Sequence, residues 1–339
     1  MHMADALVVP AVAGTMYACS ATAAGVSVHQ IRKETDPKKI PLMGVMGAFV
    51  FATQMINFTI PGTGSSGHLC GGLLLSALLG PYAGFLTMIG VLLVQCLFFA
   101  DGGLLALGCN VWNMAFYGCF VGALLIWRPI MKKGASRGKI LLASVLGSVL
   151  TLQLGAFSVC LETLISGITE LPFGVFVGTM QPIHLAIGFV EGLITAAVLI
   201  FVYEARPELL WGVATEDKEK FENKGKLSLK RVLITLAILA VLIGGGLSYA
   251  ASAFPDGLEW SMEQVAGTSE LEAEGSAYET ADAIQTTTAF LPDYAFKNSE
   301  SAAGTATSGI VGGAMVALVC VGVAFLLRGV RKENEPIHE

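Results

Sequence analysis

Apolar positions along this chain come in long unbroken runs, neither the alternation of a half-buried strand nor the 3.6-residue stripe of a surface helix. A run of about 20 apolar residues matches the hydrocarbon thickness of a bilayer. Such runs fall at 7–28, 41–58, 69–79, 83–100, 104–127, 141–161, 183–202, 232–251 and 310–327. The third is short and Pro81 separates it from the fourth, which predicts a tilted or partly re-entrant segment. Between the seventh and eighth runs, 204–231 mixes seven basic and six acidic residues with Pro207 and Gly225, the composition of a charged linker. Between the last two, 252–309 is rich in Ser, Thr, Ala and Gly and is expected to be a mobile loop. Its two ends, 254–260 and 290–294, resemble turns anchored by aromatic residues at a membrane interface. The pattern predicts an all-α integral membrane protein: a seven-helix bundle over 1–203, a linker over 204–231, a two-helix hairpin over 232–327 enclosing the loop 252–309, and a tail over 328–339.

Composition agrees. Hydrophobic residues make up 54% of the chain, charged residues 14%, and the mean hydropathy is +0.69, outside the range of soluble domains. Charge then orients the spans, because short loops rich in Lys and Arg stay in the cytoplasm. Nineteen of the 20 basic residues fall in four clusters, at 32–39, 128–139, 206–231 and 328–332. All four lie on one side when nine spans are threaded with the N-terminus outside. The loop 252–309 carries the remaining Lys297 with ten carboxylates, so it is expected to be external. The expectation is a multi-pass protein of a prokaryotic cell membrane, N-terminus extracytoplasmic and C-terminus cytoplasmic. No basic residue precedes the first run, which argues against a cleaved signal peptide, and His2 is too large to favour removal of Met1. The seven cysteines lie in or beside apolar runs with no CxxC spacing, as small core residues do.

The candidate chemistry lies at the amino terminus. The Met1 amine, the His2 backbone nitrogen and the His2 ring can close fused chelate rings around one divalent ion, and nitrogens in one plane favour Ni(II) or Cu(II). Of the five histidines, His29 and His338 belong with cytoplasmic polar segments, and His184 at the start of the seventh run is expected to matter little. His68 follows the Gly-rich stretch 61–67 at the outer end of the second run, the same face as His2. Its imidazole would complete a square of four nitrogens. The amine and the amide must lose protons on binding, so metal uptake is expected to weaken in acid. Polar residues within spans are costly and often functional: Gln54, Asn57, Gln95, Asp101, Asn110, Asn113 and Glu191 qualify. Gln54, Asn57, Ser66 and Gln95 are candidates to orient the ligands from outside, with helix-to-helix hydrogen bonding as the plainer alternative; the pair Asn110 and Asn113 reads as packing. No GxxxxGK[ST] phosphate loop or HExxH occurs, and the one GxSxG string, at 134–138, lies among basic residues between two apolar runs, not at a strand-to-helix turn, so it makes no nucleophile elbow. ATP-driven transport would need another chain, and an embedded enzyme finds no motif. Nothing suggests nucleic-acid binding, in keeping with a pI near 5.4.

Several segments in order resemble the CbiM/NikM substrate-specificity subunits of energy-coupling-factor cobalt and nickel transporters. They are Phe49 to Phe58 (FVFATQMINF), Pro61 to Leu69 (PGTGSSGHL), Gly80-Pro81, Gln95 to Phe98, Asp101 to Leu104 and Leu107 to Asn110. The segment Pro255-Asp256-Gly257-Leu258-Glu259 resembles the PDGLE-type accessory component, fused downstream. The resemblance implies a metal site at the Met1 amine, His2 backbone and ring, and His68. It implies no cofactor and no enzymatic activity. Ni(II) is the expected transported substrate, with Co(II) as the alternative and an ATP-independent secondary transporter as a further one, for which Glu191 would be the coupling carboxylate. It also implies partners: two cytoplasmic ATPase subunits and a transmembrane coupling subunit, within membrane lipid. The family usually begins Met-His-Ile-Pro-Asp-Gly; this chain reads Met1-His2-Met3-Ala4-Asp5-Ala6, which keeps the proposed ligands and Asp5 but not the Pro and Gly.

Overall fold

The computed structural model describes residues 1–33, 39–213, 227–296 and 302–333. Most charges of the linker, together with Lys38, Lys297 and His338, lie outside the described residues.

Pro10 occupies the first turn of α1 (Pro10–Ile31), where its missing N–H costs nothing. After α2 (Lys39–Gln54) the chain forms a small antiparallel hairpin of β1 (Phe58–Ile60) and β2 (Ser65–Gly67). Its turn needs Gly62 and Gly64, whose φ values of 79° and 76° would strain any side chain. The short α3 (Gly72–Leu79) is buried throughout; at about 1.5 Å per residue it cannot cross a bilayer, as its short apolar run predicts. Then come α4 (Pro81–Phe99), α5 (Leu107–Met131), α6 (Arg137–Ile165) and α7 (Phe173–Ala205). The middle of α5, Val111–Trp127, is wound as a π-helix. Gly188 and Gly192 let α7 lie directly on the α6 backbone at Val149 and Val145.

The accessory part consists of α8 (Leu229–Gly245), α9 (Gly257–Ala266), α10 (Ser276–Thr288) and α11 (Ala302–Glu333). Both α8 and α11 pack on α2, and the α2 glycines Gly44 and Gly47 sit against Val321 and Val316 of α11. Among the described residues six helices, α1, α4, α5, α6, α7 and α11, are long and apolar enough to span a membrane. The molecule is mostly helical, an all-α multi-pass membrane protein.

Two expectations change. The stretch 252–309 is not featureless, because α9 and α10 form within it. Asp256 caps α9 by accepting from Leu258 N and Glu259 N at 2.7 and 2.9 Å, and Glu259 Oε2 accepts from Asp256 N at 3.0 Å, closing a capping box. The seventh span begins at Phe173, ten residues before its apolar run suggests, which moves His184 from a helix start to a buried interior turn.

Candidate metal centre

Residues 1–9 precede α1 and thread into the bundle end, where Met3, Leu7 and Val8 are fully buried. A buried segment whose only helical part is the 3-10 turn Asp5–Leu7 needs partners for its backbone, and Asn110 of α5 and the turn before α5 supply them. Asn110 Oδ1 accepts from Met3 N at 2.7 Å while its Nδ2 donates to Met3 O at 3.1 Å. Met3 O also accepts from Gly103 N at 2.8 Å, and Asp5 Oδ1 accepts from Ala106 N at 2.9 Å. Gly102, at φ 78°, lets the turn after α4 close over the segment; a Cβ there would stand 3.2 Å from His2 Cβ. Asn110 thus does more than pack helices: it fixes the first three residues.

That anchoring brings the candidate ligands together. The Met1 amine lies 3.3 Å from His68 Nε2, and the rings of His2 and His68 stack with centroids 5.3 Å apart. His68 Nδ1 donates to Leu69 O at 3.1 Å, which leaves Nε2 as a lone pair facing the amine. Gln54 and Gln95 form a relay that reaches the His2 ring. The Cys70 carbonyl can only accept, so Gln54 turns its Nε2 to it at 2.7 Å and offers Oε1 to Gln95 Nε2, also at 2.7 Å. Gln95 therefore presents Oε1 to His2 Nε2 at 3.2 Å. With the single proton of a neutral ring on Nε2, Nδ1 is the nitrogen able to close a chelate with the His2 backbone. Nδ1 faces Asp101 Oδ1 at 3.2 Å, an approach that favours a cation at that nitrogen. Burial, helped by the neighbouring amine and His68, lowers the His2 pKa to about 4 although Asp101 pulls the other way, so the ring is neutral at pH 7.

The accessory part reaches the same place. Asp256 Oδ2 bonds to the Met1 amine and stands 3.7 Å from His68 Nε2. Burial alone would raise this carboxyl, but the Met1 ammonium beside it holds it well below its ordinary value. Ser66 locks the approach: its N donates to Pro255 O and its Oγ to Phe254 O, both at 2.8 Å. Asn57 joins through its backbone, its carbonyl accepting from Ser252 N at 2.7 Å. Glu191 spends both oxygens on Cys70 N and Gly71 N at 2.9 and 3.1 Å, pinning the start of α3 just behind His68.

A cavity of about 600 Å³ opens over this end, bordered by His2, Asp101, Asp256, Glu259, Asp282 and Asp293 among others. Deeper, Met1, His68, His184, Asp256 and Gly257 border a space of about 10 Å³, roughly one water-sized species. Among the described residues no three His, Cys, Asp or Glu side chains converge as a metal cluster; the nitrogen set depends on the amine and the backbone. Three of these neighbours were missed by sequence reasoning. Asp256 looks like a turn residue, Asn110 like helix glue, and His184 like a peripheral ring.

Residues 2–209 match the CbiM family, described as the cobalt uptake substrate-specific transmembrane region, and residues 230–329 match the PDGLE domain. The chain is 36% identical over 318 residues to an Archaeoglobus fulgidus protein named, provisionally, a fused nickel transport protein NikMN; the match covers 93% of this chain and 95% of that one. It is 27% identical over 273 residues to the cobalt transport protein CbiM of Geobacter sulfurreducens, covering 78% of each. A crystal structure described as a truncated transition metal transporter is similar at a TM-score of 0.53 and 30% identity, over 60% of this chain and 99% of that one.

Proposed function

The chain belongs to the CbiM family with a PDGLE domain fused behind it, and from that premise we propose that it captures Ni(II) at the extracytoplasmic face of the cell membrane as the substrate-binding subunit of an ATP-driven energy-coupling-factor importer. The observation that carries this reading is the Met1 amine beside His68 Nε2 at 3.3 Å, with the His2 ring stacked on His68. With metal–nitrogen bonds of about 2.0 Å, adjacent corners of a square lie about 2.8 Å apart. The pair needs to close by roughly half an ångström. Met1 N, His2 N, His2 Nδ1 and His68 Nε2 then form the plane, with Gln54 and Gln95 orienting His2 and Ser66 holding the accessory segment in place. The ion is cargo; no cofactor is involved, and ATP hydrolysis belongs to partner chains.

Orientation and coupling have their own support. Arg137 pairs with Glu204, and Tyr203 OH donates to Ala135 O at 3.1 Å, so two basic segments meet at one end of α6. At its other end Ser166 Oγ accepts from Val9 N at 3.2 Å, beside the amino terminus. The basic segment 128–139 and the candidate site thus lie at opposite ends of α6, which fits an external N-terminus. Only 17% of the apolar window of α1 is buried, and Ala11, Gly14, Ala18 and Ala21 are exposed along it. Small residues permit close helix approach, which suits α1 to a transmembrane coupling subunit that two ATPases drive.

Co(II) is the second reading, favoured by the relatives named for cobalt. A plane of nitrogens that includes an ionised amide suits nickel better, and cobalt binds such donors more weakly in the usual order. Competition on the purified protein decides; cobalt bound more tightly than nickel overturns the choice. Secondary transport gains nothing from Glu191, whose oxygens are committed to backbone. The central test is isothermal titration with Ni(II) after adding one residue before Met1. High-affinity binding should vanish while the fold persists, and unchanged binding refutes the chelate.

A further inference from the structure

We propose that Asp256 of the PDGLE segment is a positioning residue of the metal site, so that the accessory part acts as a latch that determines how long the captured ion is held. The proposal rests on the chelate reading above. Each residue of the motif has a physical task in bringing one carboxylate oxygen to the Met1 amine. The Pro255 carbonyl is tied down by Ser66 N at 2.8 Å and Ser66 Oγ at 3.1 Å. Asp256 Oδ1 accepts from Leu258 N and Glu259 N, which fixes the rotation of the carboxylate and directs Oδ2 at Met1. Gly257 presses on α7: a Cβ there would lie 2.8 Å from Ile187 Cδ1 and 3.0 Å from His184 Cε1. Leu258 is buried, and Glu259 completes the capping box. Removing any of these contacts moves the carboxylate away.

An amine nitrogen has one lone pair once it has given up its ammonium proton, and free rotation about its bond to Cα would point that pair anywhere. A carboxylate that accepts one of the remaining N–H bonds stops the rotation. Asp256 Oδ2 does this from a point 3.7 Å from His68 Nε2. It also places a negative charge against the ion without taking a corner of the nitrogen plane. Neighbours of this kind commonly change metal affinity about 10- to 100-fold.

The test uses the full chain in detergent, with Ni(II) affinity by titration and release rate by chelator chase. Asp256→Asn and Asp256→Ser both keep a side chain that caps helices as Asp does, so α9 keeps its start while the carboxylate is lost. Hydrogen exchange at the Leu258 and Glu259 amides checks that it does. The expected result is at least about tenfold weaker binding, carried mainly by faster release. Affinity and release within about twofold of the parent, or tighter binding, overturn the proposal. Should both variants loosen α9, Glu259→Gln decides: it weakens the capping box but keeps the carboxylate, and an equal loss of affinity there shows that docking alone matters. The chelate reading fails separately, through survival of binding in the chain extended before Met1.

Discussion

Acidification is expected to undock the amino-terminal segment before the helical bundle unfolds. In the docked state burial holds the His2 pKa at about 4, against 6.5 for an exposed ring. Between those values the undocked segment binds a proton that the docked one does not. Docking is therefore at full strength above pH 6.5 and weakens as the pH falls toward 4. A gap of about 2.5 units at 1.36 kcal/mol each is worth about 3.4 kcal/mol, roughly tenfold in the docking equilibrium per pH unit. The Asp256 pKa is depressed in the fold as well, but from the carboxylate range, so its contribution is present above that range and is lost only as the pH falls below it. It adds little to the change in the His2 window.

Hydrogen exchange reads the outcome directly. Met3 N, Gly103 N and Ala106 N are protected only while the segment sits between Asn110, Met3 O and Asp5. After correction for intrinsic rates, protection at these three amides should fall about tenfold per unit below pH 6.5, while amides within α6 and α7 stay protected. His2→Asn should abolish the slope. Flat protection from pH 6.5 to 4.5, or a His2 ring that titrates near 6.5 in the docked protein, would show that burial does not suppress its charge.

Three further outcomes test separate parts of the site. Gly103→Ala drives a methyl group into Asp5, so Ni(II) binding should drop more than about tenfold with little change in the melting temperature; full binding means the segment has another way in. Gln95→Leu removes the Oε1 that faces His2 Nε2 and breaks the relay to Gln54, and affinity should fall about 10- to 100-fold, with unaltered titration counting against a role for Gln95 in orienting the ring. Gly14→Leu and Ala18→Leu fill the exposed face of α1; nickel uptake by cells should be lost while the purified protein binds metal normally, and persistent uptake moves the coupling surface elsewhere.

What could be read from the sequence follows from how local each signal is. A run of about 20 apolar residues needs no tertiary context to be a span, so the order of helices was legible, including the short α3. The paired His2 and His68 were legible because charge placed them on one face. The seventh apolar run begins only at 183, after Pro182, yet α7 runs through that proline, and Gln153 of α6 donates to Gln181 O at 2.8 Å. That hid the burial of His184. The helices α9 and α10 carry too few apolar residues to stand out as spans, and they lie across the bundle end, not within it. Asp256 followed by Glu259 three residues later is nevertheless a capping-box signature that could have located α9. Its contact with Met1 could not have been found, since 255 positions of separation leave no periodic trace.

Charge governs what such a buried site can do when the ion arrives. Without metal, the Met1 ammonium faces the Asp256 carboxylate. For the four nitrogens to take up a divalent ion, the ammonium must give up one proton and the His2 amide another. Two positive charges enter and two leave, so the net charge of the pocket is the same in both states. That matters because an uncompensated charge in a buried site carries a penalty of several kcal/mol. His2 supplies none of the protons at neutral pH, its pKa being lowered to about 4. Titration in buffers of different ionisation enthalpy should therefore show about two protons released per nickel at pH 7. A value near one would leave the His2 amide protonated, remove its nitrogen from the plane, and reduce the site to three nitrogen donors.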